Sequence, residues 1–186
     1  MEAVVGIDPS LTGTAVCVMR RDGSCQMSRF TSKPAEGVSG RVARYAGLVR
    51  DVASAIQELP NTPVVCIEGY SFGSNGRSML DLAEYGGLLR QMLVKFQLDG
   101  GCAPPIEIPP HNLKKFATGK GNGDKLAVCL AIQKRYDVTF ETNDEYDAYV
   151  LARIAGCKAG WWEPETAAQR EALTPKSKAK KPRKSA

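Results

Sequence analysis

The run AVVGID at residues 3–8, broken at once by PSLTG and followed by TAVCVM, constrains this chain more than any other stretch. Its apolar residues read as a buried strand closed by one carboxylate, Asp8. A lone charge at the end of a buried strand is costly unless something pairs with it. The rest of the chain, or a cation, has to supply that partner. Residues 14–19 read as a second strand, and Arg20-Arg21-Asp22-Gly23-Ser24 carries the Asp-Gly hairpin signal. Residues 24–31 return as a third strand, so three antiparallel strands open the chain.

Helical spacing then takes over. Residues 42–59 place Val42, Tyr45, Leu48, Val49, Val52 and Ile56 on one apolar stripe, with Ser39 as the expected N-cap. VVCIE, residues 64–68, is a fourth strand leading into a glycine-rich loop, and residues 78–96 form a Leu- and Met-rich helix. PPIEIPP holds a short fifth strand. Residues 112–117 form a short helix, TGKGNGDK a flexible loop, and residues 124–136 and 144–156 two further helices. Trp161 and Trp162 are expected to dock the end of the folded body. Three hairpin-type strands followed by alternating helix and strand predict an α/β fold. Its five-stranded mixed sheet is flanked by helices, with strands four and five parallel to strand one.

The 186 residues suit one folded domain over 1–174. A hydrophobic fraction of 43% and a charged fraction of 24% are ordinary for a soluble globular protein. No apolar run approaches the roughly 18–20 residues that span a bilayer, and no leader pattern is present, so a cytoplasmic protein without membrane contact is expected. Cys17, Cys25, Cys66, Cys102, Cys129 and Cys157 include no CxxC pair, and they read as reduced, small core residues rather than a zinc site or disulfide framework. Residues 175–186 carry six Lys and Arg and no acid; removing them from the net charge of +5 leaves −1 for residues 1–174. Such a tail is expected to be disordered. It serves either as a phosphate-binding arm or only as a solubilising end.

Four acids carry the chemistry. If strand four lies beside strand one in parallel, Asp8 and Glu68 leave the sheet at the same edge. Asp144 and Asp147, three apart in DEYDAYVLA, share a helix face. Thr142 with Glu145 fits a capping box that sets those acids in the first turn, while Val150, Leu151 and Ile154 anchor the helix. Singly, each acid has a plainer account as a turn former, a surface residue or a partner of the helix dipole. Together they would repel one another unless cations lay between them. Hard oxygen ligands favour Mg²⁺, with Mn²⁺ as a substitute. Two such ions about 4 Å apart form the phosphodiester-cleaving arrangement.

GIDPSLTGTAV, VVCIEGYSFG, HNLKKFATGKGNGDK and DEYDAYVLA together resemble the RuvC family of Holliday-junction resolvases, in the ribonuclease H-like superfamily. The likeness runs from Val4 to about Ala155. It implies Asp8, Glu68, Asp144 and Asp147 as catalytic acids holding two Mg²⁺. It also implies a basic residue on each side of the glycine loop: Lys114 or Lys115 before it, and Lys125 after it. A lysine can neutralise charge developing on a scissile phosphate. Whichever of Lys114 and Lys115 points away is a solvated surface residue. Lys125 opposes the dipole of the helix it opens, which calls for a functional reason. Lys120, in the loop, and Arg77 join the expected DNA contacts. Tyr70 and Phe72 are the aromatic candidates for stacking on unpaired bases, and one of the two is expected to pack inward. The resemblance sets a homodimer seam on the helix at residues 78–96. Leu82, Gly86, Gly87 and Leu89 are the expected seam residues, two mid-helix glycines costing up to about 1 kcal/mol each relative to Ala. Pro9-Ser10-Leu11 after Asp8, the polar loop after Glu68 and the basic tail resemble divergent, phage-type members, some of which cut branched DNA more broadly.

The expected function is therefore metal-dependent, paired cleavage of four-way or other branched DNA, without a nucleotide cofactor. The rival readings are a flap, fork or RNA–DNA hybrid nuclease with the same acids, and a non-catalytic DNA-binding protein that keeps the fold. An actin-like or sugar-kinase ATPase would need a second phosphate hairpin and usually a second domain. GKGNGDK lacks the G-K-[ST] of a Walker loop. The only histidine, His111, sits in a proline-flanked stretch that suits a helix start better than a hydrolase.

Overall fold

The computed structural model describes residues 2–57, 59, 62–70 and 77–174; Phe72 and the basic tail at 175–186 lie outside the described residues, as does the side chain of Arg77. Eleven elements are described in chain order: β1 (Ala3–Asp8), β2 (Thr14–Arg20), β3 (Cys25–Phe30), α1 (Gly37–Gln57), β4 (Val64–Glu68), α2 (Arg77–Leu98), β5 (Ile106–Ile108), α3 (Pro110–Thr118), α4 (Lys125–Tyr136), α5 (Asn143–Lys158) and α6 (Ala167–Leu173). They build one five-stranded sheet of order β3-β2-β1-β4-β5. β1 pairs antiparallel with β2 and parallel with β4, β2 pairs antiparallel with β3, and β4 pairs parallel with β5. The mixed sheet expected from the hairpin signal and the later helix–strand alternation is the one observed.

Successive side chains of a strand point to opposite faces, and the core divides accordingly. Val5, Ile7, Val65 and Ile67 pack with Tyr45, Leu48, Val52, Ile56, Tyr85, Leu89 and Leu93 from α1 and α2. Val4, Ala15, Cys17, Val64 and Cys66 pack on the other face against α3, α4, α5 and α6. By the same alternation, Gly6, Asp8 and Glu68 belong to the α5 face. α5 is the central helix, with buried residues on most of its circumference. It crosses β1 so closely that a Cβ added at Gly6 would lie 2.1 Å from the carbonyl oxygen of Ala148 and 2.3 Å from the nitrogen of Ala152. Only glycine fits there.

Several expectations need correction. Gly37, with a φ of 69°, turns the chain straight into α1, so Ser39 lies inside the helix rather than capping it. Val42 remains half exposed, because the α1 stripe is buried only from Tyr45 onward. α6 was not expected; Thr166 and Gln169 form its capping box. Trp161 and Trp162 do pack on the α5-side core. His111 is the second residue of α3. All six cysteines are free, and Cys17, Cys66 and Cys102 are buried. No described helix is long and apolar enough to cross a membrane.

Candidate active site

The pairing of Ile7 with Ile67 in the β1–β4 register brings Asp8 and Glu68 to neighbouring strand ends on the α5 face. α5 meets the same edge with its first turn. Thr142 accepts from the Glu145 backbone, and Glu145 accepts in return from Thr142, whose N–H lies 2.8 Å from Oε2. The capping box read from the sequence is therefore formed. It sets Asp144 and Asp147 over the strand ends. Asp8, Glu68, Asp144, Asp147, Lys114 and Lys125 line one cavity of about 400 Å³, walled by the turn after Asp8 and by Ser78, Leu82, Pro110 and Val128.

The turn after Asp8 is held from behind. Thr14 Oγ1 donates to the Ser10 carbonyl at 2.6 Å, and the Tyr85 hydroxyl, buried on α2, lies 2.8 Å from Thr14 Oγ1. Arg44 Nη2 and Ser32 Oγ both donate to the Leu11 carbonyl. Asp8 thus sits on a strand end whose next residues are fixed, as a metal ligand requires.

The electrostatics are those of a cleft short of positive charge. Asp8 is only 5% exposed. Burial first, then the charges of Glu68 and Asp147, push its carboxyl well above the usual range. Burial also raises Glu68, offset in part by a hydrogen bond with Asp8 and by the charges of Lys114 and Lys125. Asp147 is pushed to about 7 by burial and by Glu68, although Lys125 and Lys114 oppose the rise. Two lysines do not neutralise four acids, and divalent cations would. The donor set, all carboxylate oxygen, fits Mg²⁺ or Mn²⁺ and suits softer metals poorly. Among the described residues, no three such side chains are drawn tightly enough to hold an ion as they stand.

The remaining candidates fall in different places. Lys114 faces the acids, whereas Lys115 forms an ion pair with Glu171 on α6 and does not line the cavity. Lys115 is therefore withdrawn as a catalytic candidate: α6, unseen in the sequence, takes its charge. Lys120 is exposed on the loop between α3 and α4. Tyr70 lies half-buried against α2: its ring lies 4.1 Å from the Arg90 guanidinium, and its hydroxyl reaches the Ala83 carbonyl at 3.4 Å. Gly86 makes room for that ring, since a Cβ there would come within 2.9 Å of it. Leu89 is fully buried in the chain's own core, and Leu82 faces the cavity. Gly86, Leu82 and Leu89 are therefore not free for a seam between copies. Gly87 is free, with no neighbouring group within 4 Å of the place a Cβ would take. Arg90 and Gly6 carried no signal that sequence reasoning used, although a glycine inside an otherwise β-branched strand does point to close backbone approach.

The family model described as Crossover junction endodeoxyribonuclease RuvC matches residues 4–154. A protein of Neorickettsia sennetsu named Crossover junction endodeoxyribonuclease RuvC is 28% identical over 153 residues, covering 80% of this chain and 89% of its own length. The fold resembles that of Thermus thermophilus RuvC, with a TM-score of 0.64 at 19% identity, covering 87% of this chain and 99% of that one. It also resembles T. thermophilus RuvC in complex with a Holliday junction substrate, with a TM-score of 0.60 at 21% identity over 88% and 99% of the two chains. The yeast mitochondrial Holliday junction resolvase aligns with a TM-score of 0.55 at 12% identity, over 92% and 80%.

Proposed function

Because this chain belongs to the RuvC family of crossover junction endodeoxyribonucleases, matched over residues 4–154, we propose that it resolves four-way DNA junctions by metal-dependent phosphodiester hydrolysis. The observation that carries the site assignment is the meeting of Asp8, Glu68, Asp144, Asp147, Lys114 and Lys125, from five elements, around one cavity. The four carboxylates would hold two Mg²⁺, with Mn²⁺ as a substitute. When bound, those ions supply Lewis-acid activation of water and stabilisation of the leaving oxygen. Lys114 and Lys125, ammonium groups on the α3 and α4 side of the cavity, draw the scissile phosphate in. They also neutralise the charge that accumulates on its oxygens as water attacks phosphorus and the P–O bond to the leaving strand breaks. The fixed turn after Asp8 keeps that carboxylate in place through the reaction.

Lys120, Arg77 and Phe72 are assigned to the DNA beyond the cut site, and residues 175–186 to sequence-independent phosphate contacts outside the 1–174 nuclease domain. A junction has two equivalent strands to cut, so resolution calls for two sites related by a two-fold axis. The exposed face of α2, with Leu80 61%, Val94 46% and Leu98 75% exposed, supports the seam of a homodimer. Leu80, Gly87 and Val94 recur there every seven residues.

The test is cleavage of a labelled immobile four-way junction, a fork, a flap, an RNA–DNA hybrid and linear duplex, with Mg²⁺ and with EDTA. Paired nicks at the junction are expected in Mg²⁺ only. Asp8→Asn should reduce cleavage by at least a thousandfold while leaving junction binding within about twofold, because it removes a charged ligand and keeps the shape. Cleavage confined to flaps or hybrids would favour the broader nuclease reading.

A further inference from the structure

We propose that Arg90 is a positioning residue for this centre: its guanidinium fixes the end of β4 from which Glu68 reaches the cavity. The proposal rests on the reading of Glu68 as a metal ligand. Glu68 is the last residue of its strand, and its carbonyl takes its donor from α2. Arg90 Nη2 donates to the Glu68 carbonyl at 2.9 Å, Nη1 to the Gly86 carbonyl at 3.1 Å, and Nε to Glu107 Oε2 on β5 at 2.8 Å. The Tyr70 ring covers the guanidinium plane at 4.1 Å. All three nitrogens are engaged, and the side chain is 22% exposed.

The surroundings are shaped to this cross-link. Gly69 lies against the Glu107 carboxylate, where a Cβ would come within 3.1 Å of Oε1. Gly86 leaves the gap that the Tyr70 ring fills. The two glycines thus clear the space in which Arg90, Tyr70 and Glu107 meet beside Glu68. A planar fork with several fixed donors is what an arginine offers and a lysine does not. Loss of the fork frees the β4 end to rotate and moves the Glu68 carboxylate off the point it shares with Asp8. Groups that hold a metal ligand from behind typically change metal affinity by about 10–100-fold.

The experiment measures Mn²⁺ binding to the full chain without DNA, by calorimetry and by paramagnetic resonance, alongside Mg²⁺-dependent junction cleavage and melting in EDTA. Arg90→Met keeps the aliphatic stem and removes the fork. It should raise the Mn²⁺ dissociation constant and the half-activating Mg²⁺ concentration, each on the order of tenfold. Arg90→Lys keeps the charge and should fail to restore either, which separates orientation from simple charge. Lys95→Met, on the same helix as Arg90 and removing an exposed ion pair with Asp99 just beyond its end, should bind Mn²⁺ as the wild type does. If Arg90→Met does not fold, Arg90→Lys carries the test alone. Wild-type Mn²⁺ affinity in Arg90→Lys would overturn the proposal, whatever its melting temperature. A wild type with no Mn²⁺ affinity would instead overturn the reading of the acids, and this inference with it.

Discussion

At the residue scale, the four acids set a conflict between stability and chemistry. Asp8, Glu68 and Asp147 have folded-state pKa values raised by burial and by one another. In the unfolded chain they titrate near 4. Between these limits the folded state holds more protons, so stability is fully present below the unfolded values and is lost as pH rises through the folded ones. Without divalent cations, the melting temperature should therefore fall between pH 5.5 and pH 8. Asp147, at about 7 in place of 3.8, contributes about 2 kcal/mol of the loss over that interval. Asp147→Asn should flatten the fall and melt higher than the wild type in EDTA at pH 8, while Mg²⁺ should stabilise only the wild type substantially. Thermal melts at the two pH values check this; an equal fall in the variant would remove Asp147 as its source. The placement of single residues was legible where the signals were local. Asp144 and Asp147 declared themselves by spacing and by the Thr142–Glu145 cap. Lys114 and Lys115 did not separate, because neighbours on a helix differ by about 100° in direction and only α6 decides which one is drawn off.

At the element scale, the site depends on how α5 lies on β1. The contact at Gly6 lets the helix backbone rest directly on the strand, which holds Asp144 and Asp147 above Asp8. Gly6→Ala would drive a methyl group into the Ala148 carbonyl, with no side chain able to yield. It should cost about 3 kcal/mol, at the upper end for overpacking. Cleavage should fall further than the loss of folded protein explains, which melting and junction cleavage on the same preparation would measure. Unchanged activity per folded molecule would mean that the acids tolerate a shifted helix. β1, β2, β3, β4 and α5 were readable because alternation, a hairpin turn and a cap are all local signals. The outward face of α2 was not. Leu82, Leu88, Leu89, Met92, Leu93 and Val94 surround that helix, so periodicity did not reveal which side meets the sheet. Tyr85, Leu89 and Leu93 turn inward, and Leu80, Gly87 and Val94 are left outside.

At the scale of the whole molecule, the exposed face of α2 makes Gly87 the cleanest probe of assembly. Nothing lies within 4 Å of the position a Cβ would take, so Gly87→Phe should leave the fold of one copy intact. It should hold two copies apart, giving monomers in sedimentation at micromolar concentration, where the wild type is dimeric, and slowing paired nicking at a junction. A wild type that sediments as a monomer yet cuts both strands in step would remove the seam from this helix. The order in which the site is assembled has a further consequence. Asp8 and Glu68 lie in the first third of the chain or just beyond it, and Asp147 some eighty residues after Glu68. A chain growing from its N-terminus therefore carries half its acids long before the other half exist, and the groove over Gly6 stays uncovered until α5 has been made. A nascent chain is then harmless to nearby nucleic acid throughout most of its synthesis. Over the same period β1, buried along its whole length in the finished fold, has one face bare, so the interval that postpones cutting is also the one in which the chain most needs protection from aggregation.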